Sequence, residues 1–186
     1  MPRLIRGLED PLSVGSEPKR AWGLRYGIVD DAYMVVRGAE PVDVTVGVPV
    51  IVSLPVWQAN RAELLSRGGV GVWLAPADDP LALAEDLASI PVIAIDFPSF
   101  TDGRGYSSAR LLRERLRYRG ELRAIGDVQR DQLYYLSQVG FDAFAVREDL
   151  DIDAALASLR DFSDGYQGTQ ARTPWFRRRN GQGASA

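Results

Sequence analysis

An arginine stands between two glycines in Thr101-Asp102-Gly103-Arg104-Gly105-Tyr106-Ser107-Ser108, with two hydroxyls inside the next turn. A guanidinium presents a planar fork of donors that fits a carboxylate or a tetrahedral oxyanion. Flanking glycines permit positive φ, so successive backbone N–H groups can turn toward one point just before a helix, an arrangement that favours an anion. Asp102, Gly103, Arg104, Gly105, Ser107 and Ser108 are therefore candidate ligand-binding residues. The loop has a structural reading as well, in which Asp102 or Ser107 caps the helix and Arg104 pairs with a nearby carboxylate.

A second cluster, Gly126-Asp127-Val128-Gln129-Arg130-Asp131-Gln132, follows the next apolar run. Neighbouring strands lie about 4.8 Å apart, so in a parallel sheet this turn can face the first one. Asp127, Arg130 and Asp131 then join the candidate binding set as partners for whatever Arg104 holds. Asp127 works as a general acid or base only if burial lifts its pKa. The plainer alternative makes Asp127 a helix N-cap and leaves Arg130 and Asp131 on a solvated helix face.

The chain has no cysteine and no histidine, and its one lysine is Lys19. Thiol redox chemistry, thiolate or imidazole metal ligands, iron–sulfur ligation and histidine acid–base catalysis are thereby excluded. Catalysis, if any, rests on carboxylates, Arg, Tyr, Ser or Thr, or on a borrowed cofactor. No spacing singles out an oxygen-only cation site, so no metal is expected. Gly103, Gly105, Ser108 and Asp127 form an imperfect dinucleotide fingerprint. Pro98 to Asp102 separate the strand from Gly103, where the motif needs a turn tight against the strand end.

The formal net charge is −3, yet Arg172, Arg177, Arg178 and Arg179 sit in a C-terminal stretch without acids, so the rest of the chain is more acidic than the total implies. An acidic body disfavours nucleic acid as a partner. No apolar run approaches the roughly 20 residues that span a bilayer, and the N-terminus lacks a signal-like apolar segment. The expected location is cytoplasmic, with no membrane partner.

Positioning these groups falls to a repeated rhythm. Apolar runs at Val48–Leu54, Val70–Ala75, Val92–Phe97, Leu122–Gly126 and Phe141–Val146 read as strands. Amphipathic segments at Trp57–Arg67, Pro80–Ala88, Ser107–Tyr118, Gln129–Val139 and Ile152–Phe162 read as helices. The expected class is α/β: about five βα units in a mostly parallel sheet, either Rossmann-like or a partial β/α barrel. Five units fall short of a closed eightfold barrel, and a homo-oligomer would complete one. Leu24–Val29 and Tyr33–Val36, flanking Asp30-Asp31, read as an N-terminal β-hairpin. The expected division is a hairpin appendage over 1–45, an α/β domain over 46–164, and a basic, mostly disordered tail over 165–186, in which Trp175 and Phe176 are the exceptional residues.

On the third helix, Leu111, Leu112 and Leu116 mark the buried stripe, leaving Arg110, Arg113, Arg115, Arg117 and Arg119, with Arg123 beyond, as a solvated face. Asp78-Asp79-Pro80 is a helix-start signature. In Arg147-Glu148-Asp149 the carboxylates either join the crevice or cap the last helix. Tyr134 and Tyr135 read as packing.

Taken together, Phe97-Pro98-Ser99-Phe100-Thr101-Asp102-Gly103-Arg104-Gly105-Tyr106-Ser107, Gly120-Glu121-Leu122-Arg123-Ala124-Ile125-Gly126-Asp127-Val128, Arg130-Asp131-Gln132 and Gly140-Phe141-Asp142-Ala143-Phe144 resemble a bacterial family, domain of unknown function 934. The resemblance covers most of residues 50–165. Ser99 stands where the family pattern has Lys, and Gln129 where it has an aliphatic residue. What the resemblance implies is a pathway, sulfate and sulfite assimilation, together with the label of an oxidoreductase of sulfite reduction. It carries over no catalytic residue set. Sulfite reduction is multi-electron chemistry that belongs to a metal or flavin cofactor, so an accessory role suits these residues better. That role is to bind an oxyanion or anionic metabolite through Arg104 and the Gly103–Ser108 backbone, or to dock on sulfite reductase or another sulfur-assimilation enzyme. The alternatives are an oxidoreductase borrowing flavin or NAD(P)H at the strand ends, and a lyase or isomerase using Asp127 and Arg104.

Overall fold

Short runs such as Val-Ile-Ala-Ile, apolar at every position, suit strands covered on both faces, and residues 92–97 are buried throughout. In the computed structural model, which describes residues 2–8, 25–38 and 47–159, the strands are β1 (Arg3–Leu8), β2 (Arg25–Asp30), β3 (Met34–Val35), β4 (Val50–Ser53), β5 (Val70–Leu74), β6 (Val92–Phe97), β7 (Glu121–Gly126) and β8 (Ala143–Phe144). The α-helices are α1 (Leu54–Ala59), α2 (Arg61–Arg67), α3 (Arg104–Arg110), α4 (Leu133–Val139) and α5 (Ile152–Ser158). The last part of the helix expected to reach Phe162, and the tail with Trp175 and Phe176, lie outside the described residues. No helix among those described is long and apolar enough to cross a membrane.

All eight strands form one sheet in the order β2-β1-β8-β7-β6-β5-β4-β3. From β3 to β8 neighbours are parallel and follow chain order, while β1 is antiparallel to both β2 and β8. The α/β class holds, but the sheet is mixed. A Rossmann arrangement is ruled out because strand order never reverses between β3 and β8, so there is no switch point of the kind a doubly wound sheet uses.

The expected N-terminal hairpin is also corrected. Residues 25–30 pair with β1, whereas Met34–Val35 lies parallel to β4 at the opposite edge. A six-residue partner with Leu4 and Ile5 wholly buried outcompetes the local pairing, and Asp31 is engaged in a turn, accepting from Tyr33 N–H at 2.9 Å. Both edges thus belong to the same sheet as the βα units.

Only Asp31, Ala32 and Tyr33 separate β2 from β3, a span of at most about 14 Å at roughly 3.5 Å per residue. A flat sheet of eight strands about 4.8 Å apart would hold its edges roughly 34 Å from each other. The sheet must therefore curl. Its outer face packs Val52, Leu74, Ile93, Ile95, Phe97 and Leu122 against Trp57, Ala109, Leu112, Leu133 and Ala155 of the helices. The inner face gathers Ile51, Val92, Ala94 and Ile125 with Tyr33, Val35, Trp73 and Ala145. Alternation along each strand sends Asp96 of β6, and Glu121 and Arg123 of β7, to this inner side.

Two arginines expected on a solvated face turn inward instead. Arg123, 1% exposed, donates Nη1 to both carboxylate oxygens of Asp31 at 2.8 Å and Nε to Glu121 at 2.8 Å, with its guanidinium 5.4 Å from the Tyr33 ring centre. Arg113 donates to the carbonyls of Gly140, Tyr118 and Gly120 and to Asp142. The helical-face argument fails for Arg113 because its acceptors at Gly120, Gly140 and Asp142 come from the segments beside β7 and β8, and α3 itself passes into a π-helical turn over Leu111–Arg115.

Other helix boundaries shift for local reasons. Trp57–Arg67 begins earlier, at Leu54, and splits at Asn60 into α1 and α2; Pro80–Ala88 yields a 3₁₀ turn at Pro80–Leu83. Ser53 caps α1, its Oγ accepting from Val56 N–H at 3.4 Å.

Candidate functional site

The carboxyl ends of the parallel strands carry the polar groups. At the end of β6, Asp96 points inward and a loop over 98–103 leads into α3. Asp102 Oδ1 accepts the Arg104 backbone N–H at 3.1 Å and Nε at 3.0 Å, and Oδ2 accepts Nη2 at 2.6 Å. The hydrogen bonds from Arg104 hold the Asp102 carboxyl below the usual aspartate range. The fork of Arg104 thus closes on an acid two residues away, while 63% of the side chain stays exposed.

No positive-φ nest forms in this loop. Gly103 sits at φ −81°, ψ −4°, a conformation open to any residue. Gly105 is required for packing: a Cβ there would stand 2.6 Å from Phe97 Cζ and 3.0 Å from Ile95 Cγ2. The glycine lets α3 settle on β6. Ser107 is exposed and Ser108 half-buried on α3.

At the end of β7, Gly126 has φ +94°, and a Cβ would lie 2.4 Å from the Phe97 carbonyl oxygen. Only glycine fits this turn, which draws Asp127 against the neighbouring loop. Its N–H donates to Phe97 O at 2.7 Å, and its Oδ2 accepts Phe100 N–H at 3.0 Å. Oδ1 accepts Arg147 Nη1 at 3.0 Å, and Gln132 Nε2 donates to Phe100 O at 3.0 Å. The two loops expected to converge therefore do meet, through Asp127 and not through Arg104.

Asp127 does not meet the condition for a general acid. The hydrogen bond from Arg147, then that from Phe100 N–H, lower its pKa, the opposite of the upward shift the role needs. Nor is it an N-cap, since Gln129 stands at that position of the following 3₁₀ turn, its N–H donating to Gln132 Oε1 at 3.0 Å. Arg147 also pairs with Asp149, which it likewise holds low. Arg130 and Asp131 are exposed on the 3₁₀ turn, and no hydrogen bond or ion pair among the described residues joins either of them to Arg104.

A recess on this rim lies elsewhere. A crevice of about 510 Å³ opens between the ends of β4 and β5 and the segment after β3, with Arg37, Asn60, Trp73 and Asp78 among its walls. That volume falls within the range of roughly 300–1,000 Å³ typical of small-molecule sites. Arg37 reaches across the curl: Nη2 donates to the buried Asp96 Oδ1 at 3.0 Å, and the guanidinium lies 5.7 Å from the Trp73 ring centre. Trp73 Nε1 donates to Val36 O at 2.9 Å, fixing the segment that carries Arg37. The Arg37 side chain is 54% exposed, and its one charged partner among the described residues is Asp96. Asp78 Oδ2 accepts Ala75 N–H at 2.7 Å, and Asn60 Nδ2 donates to Val56 O at 3.0 Å. No group of three or more carboxylates among the described residues converges as a metal site.

Sequence patterning does not single out Arg37, Asn60, Trp73 or Asp96, and it marks Asp78 only as part of a helix start. One signal is available: the two-residue period through Val92, Ala94 and Asp96 puts a carboxylate on the inner face at a strand's carboxyl end.

No curated protein and no solved structure matches this chain. Residues 71–176, which take in Trp73, Asp78, Asp96 and both rim loops but begin after Arg37, match the family described as a bacterial protein of unknown function (DUF934), and the chain belongs to that family.

Proposed function

We propose that this chain is an accessory protein of sulfite and sulfate assimilation that binds a small metabolite at the carboxyl rim of its curled sheet, with Arg37 receiving the metabolite's anionic group. The observation that carries the binding reading is a half-exposed guanidinium at the wall of a crevice, held at one nitrogen by a buried carboxylate and lying over an indole. A charge anchored in that way is preorganised, so little ordering cost remains when a ligand arrives. Arg104 is a weaker receptor because any anion there competes with Asp102. The rim carboxylates Asp102, Asp127 and Asp149 are all held ionised by arginines, which favours binding over proton transfer. The pathway is what the resemblance carried by the rim-loop motifs implies.

Isothermal titration with sulfite, sulfate, phosphate and adenylyl sulfate, extended to molecules that co-purify, tests the binding claim. Whichever of these binds the unmodified chain should bind Arg104→Ala as well and lose binding in Arg37→Ala. Binding that depends on Arg104 and ignores Arg37 overturns it. For the pathway, a deletion strain should grow slowly on sulfate or sulfite and normally on cysteine. Equal growth on all three refutes that part.

A further inference from the structure

The charges around the crevice restrict what it can hold. Among the described residues Arg37 brings one positive charge, while Asp78 in the wall and Asp96 behind Arg37 bring two negative ones. A free dianion would meet an acidic surround, and it offers nothing to cover the apolar wall made by Pro55, Val56, Ala59 and Trp73. A ligand bearing both signs and a small uncharged body meets complementary groups throughout. On Arg37, only Nη2 is taken by Asp96, which leaves further donors of the fork for a carboxylate. Asp78 commits Oδ2 to the Ala75 N–H, and its second oxygen stays available for a cation. Asn60, anchored through Nδ2, keeps its amide oxygen as an acceptor.

Resting on the reading of this crevice as a binding site, we infer that its ligand is a zwitterionic α-amino acid with an uncharged side chain. Its carboxylate lies on Arg37, its ammonium on Asp78 and Asn60, and its side chain against Pro55, Val56 and Trp73. The carboxylate and the ammonium are each matched by a fixed group, so neither is desolvated without a partner.

The test is calorimetric titration of the unmodified chain with small uncharged amino acids, each beside two analogues, one lacking the ammonium and one lacking the carboxylate. Each deletion should weaken binding by about tenfold or more, roughly 1.4 kcal/mol. Asp78→Asn should weaken the amino acid and leave the analogue without the ammonium unchanged, while Arg37→Met weakens both. The analogue comparison needs no variant, so a misfolded Asp78→Asn would not blunt it. An analogue lacking the ammonium that binds as tightly as its parent overturns the inference. Arg37-dependent binding of sulfite or sulfate with no amino-acid binding overturns it too, yet upholds the function proposed above. No binding of either kind overturns both.

Discussion

Arg123 on β7 and Asp31 in the β2–β3 connection meet at 2.8 Å inside the curl, although 92 residues separate them in the chain. The pair ties the segment joining the two sheet edges to the middle of the sheet, and Glu121 on the same strand shares the guanidinium at 2.7 Å. Removing the arginine leaves Asp31 without this cation in a poorly solvated place, while Glu121 keeps Arg6 at 3.7 Å. Arg123→Met is expected to cost about 3–5 kcal/mol, the usual penalty for leaving a buried charge unpaired. A denaturant midpoint unchanged from the parent would show that the closure does not depend on this pair.

Arg104 provides the contrast. Its pair with Asp102 is exposed and spans one loop, and such pairs are screened by solvent. Arg104→Ala should leave the thermal unfolding curve where it was. A clear fall in Tm would give the loop a structural weight that its exposure does not support.

The two loop glycines separate packing from ligand capture. Gly105→Ala drives a methyl into the Phe97 ring and should destabilise by about 1–3 kcal/mol, the range for overpacking. Gly103→Ala meets nothing within 4 Å and keeps an ordinary φ, so it should be neutral or stabilising by up to about 1 kcal/mol. Chemical denaturation of both variants decides. Loss of stability at Gly103 alone would restore the nest.

Acid should act through Asp86, which is buried between Trp57 Nε1 at 2.9 Å and Arg61. Hydrogen bonding from Arg61 lowers its pKa below the ordinary 3.8 despite its burial. A depressed folded value means that this stabilisation is complete above 3.8 and is lost as pH falls through the lower value. Asp86→Asn should therefore be less stable at neutral pH and lose stability less steeply below about pH 4. A parallel pH profile for variant and parent would contradict the assignment.

Legibility followed the range of the interactions. β5 and β6 stand in the sequence as mostly apolar runs because they are covered on both faces, and a period of two needs no distant partner to be seen. The meeting of the 98–103 loop with Asp127 was readable for the same reason, since β6 and β7 are adjacent in chain and sheet. The pairing of β1 with β2 was hidden, because it is long-range and competes with a plausible local hairpin. Arg113 and Arg123 read as surface because their partners, Gly140 O and Asp31, come from other elements. The crevice was hidden most fully. Arg37 approaches Asp96 only once the sheet has curled, and no linear pattern carries that curvature.

The most direct measurement is an amide and indole ¹H–¹⁵N titration of the whole chain with sulfite, sulfate and small uncharged amino acids. A bound ligand should shift the Trp73 Nε1–H signal and the amides of Gly38 and Asn60, while Gly103 to Ser108 stay in place. Shifts confined to Gly103–Ser108, with Trp73 unmoved, would refute binding at the crevice.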